Sequence, residues 1–284
     1  MAKTTTDSVK LKASMTMDEI NANLLKYRKI TFKAGTYNVS KPMLVRSDTT
    51  ITCEAGVIFK RTHKDRMLEF YSAPSTTKYN GTHDVTWTGG TFIANTNSGT
   101  SNVIVLCHSK NITLKNITIE GCVGFHSIEI NSSKKIKVVN CTIKNQTIVD
   151  DKDHKESIQL DFAYKAGLSI LGAKVDSPCY DATHCDNITI SGCTFENCPN
   201  GIGTHTVYAS EKYHTDITIK DCKFIDIKGN CVRLLGCKNV SIINSPGKIV
   251  IDKAKKGYSL DGTKTTLSTN RYNVNVVVDN IEIS

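Results

Sequence analysis

A nine-residue pattern recurs through the chain and limits what it can fold into more than any other feature. Written under one another, five segments align: Asn111-Ile-Thr-Leu-Lys-Asn-Ile-Thr-Ile119, Lys135-Ile-Lys-Val-Val-Asn-Cys-Thr-Ile143, Asn187-Ile-Thr-Ile-Ser-Gly-Cys-Thr-Phe195, Asp216-Ile-Thr-Ile-Lys-Asp-Cys-Lys-Phe224 and Asn239-Val-Ser-Ile-Ile-Asn-Ser245. The shared pattern is polar, apolar, polar, apolar, any, Asn/Gly/Asp, Cys, polar, apolar. Asp84-Val-Thr-Trp-Thr-Gly-Gly-Thr-Phe92 fits it upstream, with Gly90 in the cysteine position. The starts lie 27, 24, 52, 29 and 23 residues apart. Four intervals read as one repeat each, and the long one as a repeat carrying an insertion.

Apolar and polar residues that alternate over a few positions mark a strand with one buried face. The Asn/Gly/Asp position is a bend, because these residues tolerate left-handed backbone geometry. Two short strands per repeat cannot bury their inner faces alone, whereas stacked repeats bury them together. The inner residues then form columns: Ile112, Ile136, Ile188, Ile217 and Val240 in one, Cys141, Cys193 and Cys222 in another. No segment from residue 80 onward sustains a 3.6-residue period, which excludes an α-solenoid. A β-propeller needs four strands per repeat of about 40 residues. The expected fold is therefore all-β, a single right-handed parallel β-helix forming one domain over residues 1–284. Residues 1–28 form an N-terminal cap, 29–252 the coils, and 253–284 a C-terminal loop and closing strand. Ile20, Leu24 and Leu25 recur at helical spacing after Thr16, a plausible N-cap, and predict the capping helix.

A second set of strands precedes the repeats: Asn102-Val-Ile-Val-Leu-Cys107, His126-Ser-Ile-Glu-Ile-Asn131, Glu156-Ser-Ile-Gln-Leu-Asp161, Asn200-Gly-Ile-Gly-Thr-His205 and Asn230-Cys-Val-Arg-Leu-Leu235. Their third and fifth positions point inward. The fourth and sixth gather Glu129, Asn131, Gln159, Asp161, His205 and Arg233 on one outer strip, on strands about 4.8 Å apart. Outer faces elsewhere in the chain carry Thr, Ser and Lys, so acids, amides, a histidine and an arginine on one strip point to a ligand. As exposed positions, they are expected to tolerate substitution without loss of fold. The insertion, Phe162 to Asp186, leaves from the end of the Asp161 strand and brings Asp181. A polar loop that includes Lys155 enters the same strand. Long loops on a rigid scaffold are commonly functional.

The formal net charge is +9. With no nucleic-acid motif, that charge fits an anionic glycan as partner better than a nucleic acid. The eleven cysteines cannot all pair, and they recur with the repeat, so they read as buried thiols in a reduced chain. Without a CxxC pair, no metal is expected despite the spacing of Cys179, His184 and Cys185, and of Cys193 and Cys198. No stretch has the roughly 18 apolar residues of a membrane span. Met1-Ala-Lys-Thr-Thr-Thr lacks the apolar core of a signal peptide. The protein is expected to stay in the cell, to have lost a leader, or to leave by lysis as part of a virion.

The Asn-Ile-Thr-Ile-(x)-(Asn/Gly)-Cys-Thr-Phe repeats and the opening Phe32-Lys-Ala-Gly-Thr-Tyr-Asn-Val resemble those of bacterial and phage proteins of the pectate-lyase-like superfamily, across residues 28 to 284. The order Asp161, Asp181, Gly203-Thr-His205, Arg233 is similar to the polygalacturonase-type glycoside hydrolases. Their Asn-Thr-Asp and Asp-Asp motifs are missing here, Gly-Thr-His stands for Gly-His-Gly, and Leu235 stands where they have lysine. Three functions stay open. A glycoside hydrolase would use Asp161 with Asp181 or Glu129 as its carboxylates, His205 as relay, and Glu129, Asn131, Gln159, Lys155 and Arg233 to hold substrate. A polysaccharide lyase would use His205 or Lys155 as base and Arg233, or Ca2+ held by Glu129, Asn131 and Asp161, as stabiliser. A glycan-binding tail-fibre or adhesin module would use the strip without turnover, as a monomer or, in a phage tail, a trimer.

Overall fold

The computed structural model describes residues 7–70, 72–94, 101–150, 155–168, 174, 176–204 and 206–279. Three parallel sheets stack along one axis, and the chain visits each of them in turn. The ten-stranded sheet carries the repeats: His83–Thr88, Lys110–Lys115, Lys134–Val139, Asp186–Ser191, His214–Lys220 and Cys237–Ile243 lie side by side in it. A seven-stranded sheet runs from Gly35–Val39 to Lys223–Ile225, and an eight-stranded sheet from Met43–Val45 to Ile249–Ile251. The register follows the repeat. Ile112, Ile136, Ile188, Ile217 and Val240 pair in order, all buried, because a period of two sends every second side chain inward.

The bends obey the same logic. Asn116, Asn140, Gly192, Asp221 and Asn244 all have positive φ, between 45° and 63°. The first position of the repeat, which the sequence shows only as polar, is also left-handed: Asp84, Asn111, Asn187, Asp216, Asn239 and Lys135 have φ between 55° and 57°. There the side chains form a ladder from rung to rung. Asn111 Nδ2 donates to Asp84 Oδ1, and Asn239 Nδ2 donates to Asp216 Oδ1 at 2.9 Å. Asn and Asp reach this region at lower cost than other residues with a Cβ. Lys135, exposed, is the exception in the column. Lys135→Asn is expected to raise stability by about 1 kcal/mol, measured by urea unfolding; an unchanged or lower midpoint would show that the left-handed turn carries no strain there.

At the N-terminal end, helix Met17–Lys26 starts with a capping box between Thr16 and Glu19 and buries Met17, Ile20 and Leu24. Leu25, expected inside, is 48% exposed, since one turn cannot place two adjacent residues on the same face. Phe32, Tyr37, Phe59, Trp87 and Phe92 fill the core beyond it, with ring centroids 4.8 to 6.0 Å apart. At the other end, the tract read as loop is a hairpin of Ala254–Tyr258 and Lys264–Arg271, closed by Asp261 and Gly262. Its Lys- and Thr-rich strands are largely exposed and so carry no apolar period.

All eleven cysteines are free, and all but the half-buried Cys53 are buried. Burial pushes the Cys53, Cys185 and Cys237 thiols up to about 12. Cys193 and Cys198, one half of the zinc spacing, sit in inner columns of the core. A disulfide reagent at pH 7.5 is therefore expected to label at most Cys53 quickly in the native protein, and all eleven after denaturation without reductant. Fast labelling of several native thiols would contradict the packed columns.

Candidate functional site

The outward column expected from the sequence exists, and it is longer than expected. Along the eight-stranded sheet, Leu44, Glu69, Val105, Glu129, Gln159, Gly203, Arg233 and Val250 pair in that order. Two residues along, Cys107, Asn131 and Asp161 pair likewise. The strip is covered, however, and not solvated. Glu129 is 8% exposed, Gln159 3%, Asp161 2% and Asn131 0%. The chain after Asp161 turns back over the sheet, so that Gly167 O accepts from Asn131 Nδ2 at 2.5 Å. Leu168, Cys179 and Tyr180 pack with Val105 and Cys107 in an apolar cluster outside the main core. The expectation that a substitution at Asp161 leaves the fold untouched is thus corrected, whereas the Arg233 side chain is 29% exposed.

A cavity of about 360 Å³ remains beside this cover. Carboxylates from Asp65, Glu129 and Asp161 reach it, with the cations of Arg66 and Lys155, the amides of Asn102 and Gln159, and the rings of Phe125, His126 and Tyr164. Glu129 accepts from Asn102 Nδ2 on Oε2 and from Asn131 Nδ2 on Oε1, the latter at 3.2 Å. Asp161 Oδ1 accepts from Thr206 Oγ1 at 2.5 Å and Phe162 N at 2.8 Å, and Oδ2 from Gln159 Nε2 at 3.3 Å. N–H and O–H groups around both carboxylates bind them as charged acceptors. Asn131 turns its nitrogen toward Glu129 and Gly167 O, and its buried Oδ1 has no hydrogen-bond partner among the described residues. Arg66 grips Glu69 and both oxygens of Asp65. Lys155 holds its ammonium 5.6 Å from the Phe125 ring centroid. Burial, with the Asp161 charge beside it, keeps the Tyr164 phenol above its usual range and so a neutral hydroxyl.

Behind the cover lies a buried aromatic stack. Phe162 stacks on Tyr164 at 4.4 Å and on His184 at 5.0 Å, and His184 meets His214 at 4.9 Å. His184 Nδ1 faces Ala182 O at 2.7 Å, so it carries the proton; His214 Nδ1 accepts from Cys185 N at 3.1 Å, so its proton is on Nε2. Neither Nε2 has a partner.

The expected residues therefore divide. Glu129, Gln159, Asp161 and Lys155 meet at one cavity, with Asn131 behind them. Asp181 does not join them: its Oδ2 accepts from Lys78 N at 2.7 Å and its Oδ1 from Thr183 N at 2.9 Å, which is a turn residue's work. Arg233 lines a separate cavity. His205 lies outside the described residues. Asp65, Arg66, Asn102, Phe125 and His126 were not singled out by the sequence. Two of them had a signal, because the first position of the same five segments reads Asn102, His126, Glu156, Asn200, Asn230. Elsewhere among the described residues, Asp48, His83 and Asp84 cluster closely enough for a metal, but Arg28 and Asn111 already bind the two carboxylates.

Residues 79–272 match the family model of the right handed beta helix region. The chain belongs to the right-handed β-helix family. Among solved β-helix structures, the Streptococcus pneumoniae surface protein and adhesin PfbA is similar at 21% identity with a TM-score of 0.73, over 95% of this chain and 76% of PfbA. A second structure of PfbA covers 88% of this chain and 62% of its own, with a TM-score of 0.67. A tailspike protein of E. coli bacteriophage HK620, solved with a pentasaccharide, is 13% identical with a TM-score of 0.60, over 93% of this chain and 45% of the tailspike. No curated protein matches the chain in sequence. Among the described residues, no helix is long and apolar enough to cross a membrane.

Proposed function

We propose that this β-helix recognises a glycan, seated in the cavity beside Glu129, Gln159 and Asp161. One observation carries the reading: charged acceptors, amide donors and the rings of Phe125, His126 and Tyr164 converge on a concavity of about 360 Å³ whose floor, Glu129, Gln159 and Asp161, is set on strands and whose rim comes from the connecting segments. Sugar hydroxyls need paired donors and acceptors held rigidly, and sites on regular elements hold them more closely than loops do. A tailspike with a bound pentasaccharide and a surface adhesin among the similar folds agree with this partner, and with a setting outside the cell or on a virion.

Hydrolysis is the second reading, and the placement of Glu129 and Asp161 favours it. They are diagonal neighbours on adjacent strands, one rung and two residues apart, so their Cα atoms are about 8 Å apart by strand spacing and rise. Both side chains leave the same face of the sheet, as the pair of carboxyl groups that flanks a glycosidic bond must. Asp161, held by Thr206, Phe162 N and Gln159, would serve as base, and Glu129, on taking up a proton, as acid. For a lyase, Lys155 is the described base candidate, but Arg233 stands outside this cavity.

Acidic and neutral polysaccharides, tested for retardation in affinity gels and for new reducing or unsaturated ends, decide among these. At least one glycan is expected to retard the parent, and Glu129→Gln is expected to weaken that retardation. New reducing ends without ultraviolet absorbance would establish hydrolysis. Retardation by no glycan, or an undiminished one in Glu129→Gln, overturns the site.

A further inference from the structure

A second cavity, of about 210 Å³, opens on the same sheet and is lined by Glu156, Asn200, Ile202, Asn230 and Arg233. The Arg233 guanidinium has one loose ionic contact, 3.8 Å to the half-exposed carboxylate of Asp252, and no hydrogen bond among the described residues. Its five N–H donors form a fork that matches a carboxylate or a sulfate. Asn200 is 7% exposed and uses its Oδ1 on Asn230 N at 2.8 Å. Its Nδ2 faces away from that bond and has no partner among the described residues. The Asn230 amide stands beside it. Glu156, 2% exposed, also lines this cavity, and its carboxylate lies 3.9 Å from His126 Nδ1. The first cavity is the more acidic of the two: Asp65, Glu129 and Asp161 all line it, and its Arg66 is bound on both sides by Glu69 and Asp65.

The two cavities belong to one column. Gln159 pairs with Gly203 and Gly203 with Arg233, so the two functional rungs are about 10 Å apart. Glycine at the rung between them makes room for the Glu156 side chain, which lies over it. A Cβ at Gly203 would stand 2.7 Å from the Arg233 carbonyl oxygen and 3.0 Å from Glu156 Cγ.

We infer that the Arg233 cavity is an anion subsite for the same glycan. The polymer recognised carries a carboxylate or sulfate a few units along from a neutral one, with the neutral unit against Glu129 and Asp161. A uniformly acidic polymer would press its own carboxylates against those two, where like charges repel. This inference rests on the glycan reading above.

Affinity electrophoresis of the full chain tests it with four polymers. Hyaluronan alternates an N-acetylated neutral sugar with a uronate, chondroitin sulfate adds sulfate, polygalacturonate is acidic throughout, and dextran is neutral. The parent is expected to bind hyaluronan or chondroitin sulfate at least tenfold more tightly than polygalacturonate or dextran. A preference for chondroitin sulfate would assign the anion as sulfate, and equal binding would assign it as the carboxylate. Arg233→Gln is expected to lose at least tenfold in affinity for the alternating polymers and to flatten the salt dependence, with Arg233→Lys restoring part of both. Unchanged affinity in Arg233→Gln, or parent binding to polygalacturonate as tight as to hyaluronan, overturns the subsite. Binding to dextran alone overturns it and leaves the glycan reading standing, whereas binding to none of the four removes both.

Discussion

Lowering the pH from 7 to 4.5 is expected to remove between about 2 and 3 kcal/mol of folding stability through His184 alone. Burial pushes the His184 imidazole down to about 4 from an ordinary 6.5, outweighing the upward pull of the Ala182 carbonyl, the next largest effect; Lys212 and Arg271 act with burial and Asp181 against it. In the folded state the ring stays neutral where the unfolded chain takes up a proton. A folded pKa below the unfolded one leaves stability whole above pH 6.5 and erodes it as pH falls toward 4, at 1.36 kcal/mol per pKa unit. His214, fully buried against His184, is pushed far below its ordinary value by burial and adds a loss of the same sign. The tautomers give the physical reason: a new proton on His184 would go to Nε2, which has no acceptor, and one on His214 to Nδ1, which faces the Cys185 N–H. Urea unfolding at half-unit steps of pH checks this. His184→Phe keeps the stack on Phe162 and removes the titration, so its stability should fall less steeply between pH 6.5 and 4.5. A parent whose stability is level across that window would refute the neutral buried pair.

The coils were legible because their signal is local and repeated. Ile112, Ile136, Ile188, Ile217 and Val240 each sit in an alternating segment, and alternation dictates which side chains turn inward whatever the neighbouring coil holds. The column of Glu129, Gln159 and Arg233 was legible for the same reason. What alternation does not report is what lies on top of the outer face. The turn of Phe162–Leu168 over Asn131 is a tertiary choice made by aromatic stacking and one backbone carbonyl, and neither has a period. Nor did the column by itself show what separates the two cavities, since the Glu156 side chain that lies over Gly203 belongs to another position of the pattern. The ladder through Asn111 and Asn239 was hidden because a left-handed residue and a strand residue are equally polar in sequence. The C-terminal hairpin did have a signal, Asp261-Gly262, the dipeptide of tight turns.

Asp161→Asn is expected to act twice, once on stability and once on the glycan. The substitution keeps the shape of the side chain but replaces one acceptor oxygen by a donor. Thr206 can rotate its hydroxyl to adapt, whereas Phe162 N–H is a fixed donor that keeps the remaining oxygen, so the new NH2 takes the place facing Gln159, whose amide must turn over and give up its present contacts to accept from it. Hydrogen bonds to charged groups contribute about 1.5–3 kcal/mol each, and a buried donor left unpaired costs about 1–3 kcal/mol. A loss of about 2–3 kcal/mol in urea unfolding follows, against less than about 0.5 kcal/mol for an exposed position. Thr206→Val separates the two effects. It removes one donor from the same carboxylate without altering the groups that line the cavity, so it should lose stability and keep glycan affinity. Measured where all variants are folded, Asp161→Asn should weaken glycan binding at least tenfold; if the site turns substrate over, the rate should fall by a factor on the order of 10² to 10⁴, as it does when an acid–base group is lost. Equal loss of binding in both variants would make Asp161 a fastener of the cover over the sheet, and the recognition of the glycan would then belong to Glu129 and its partners.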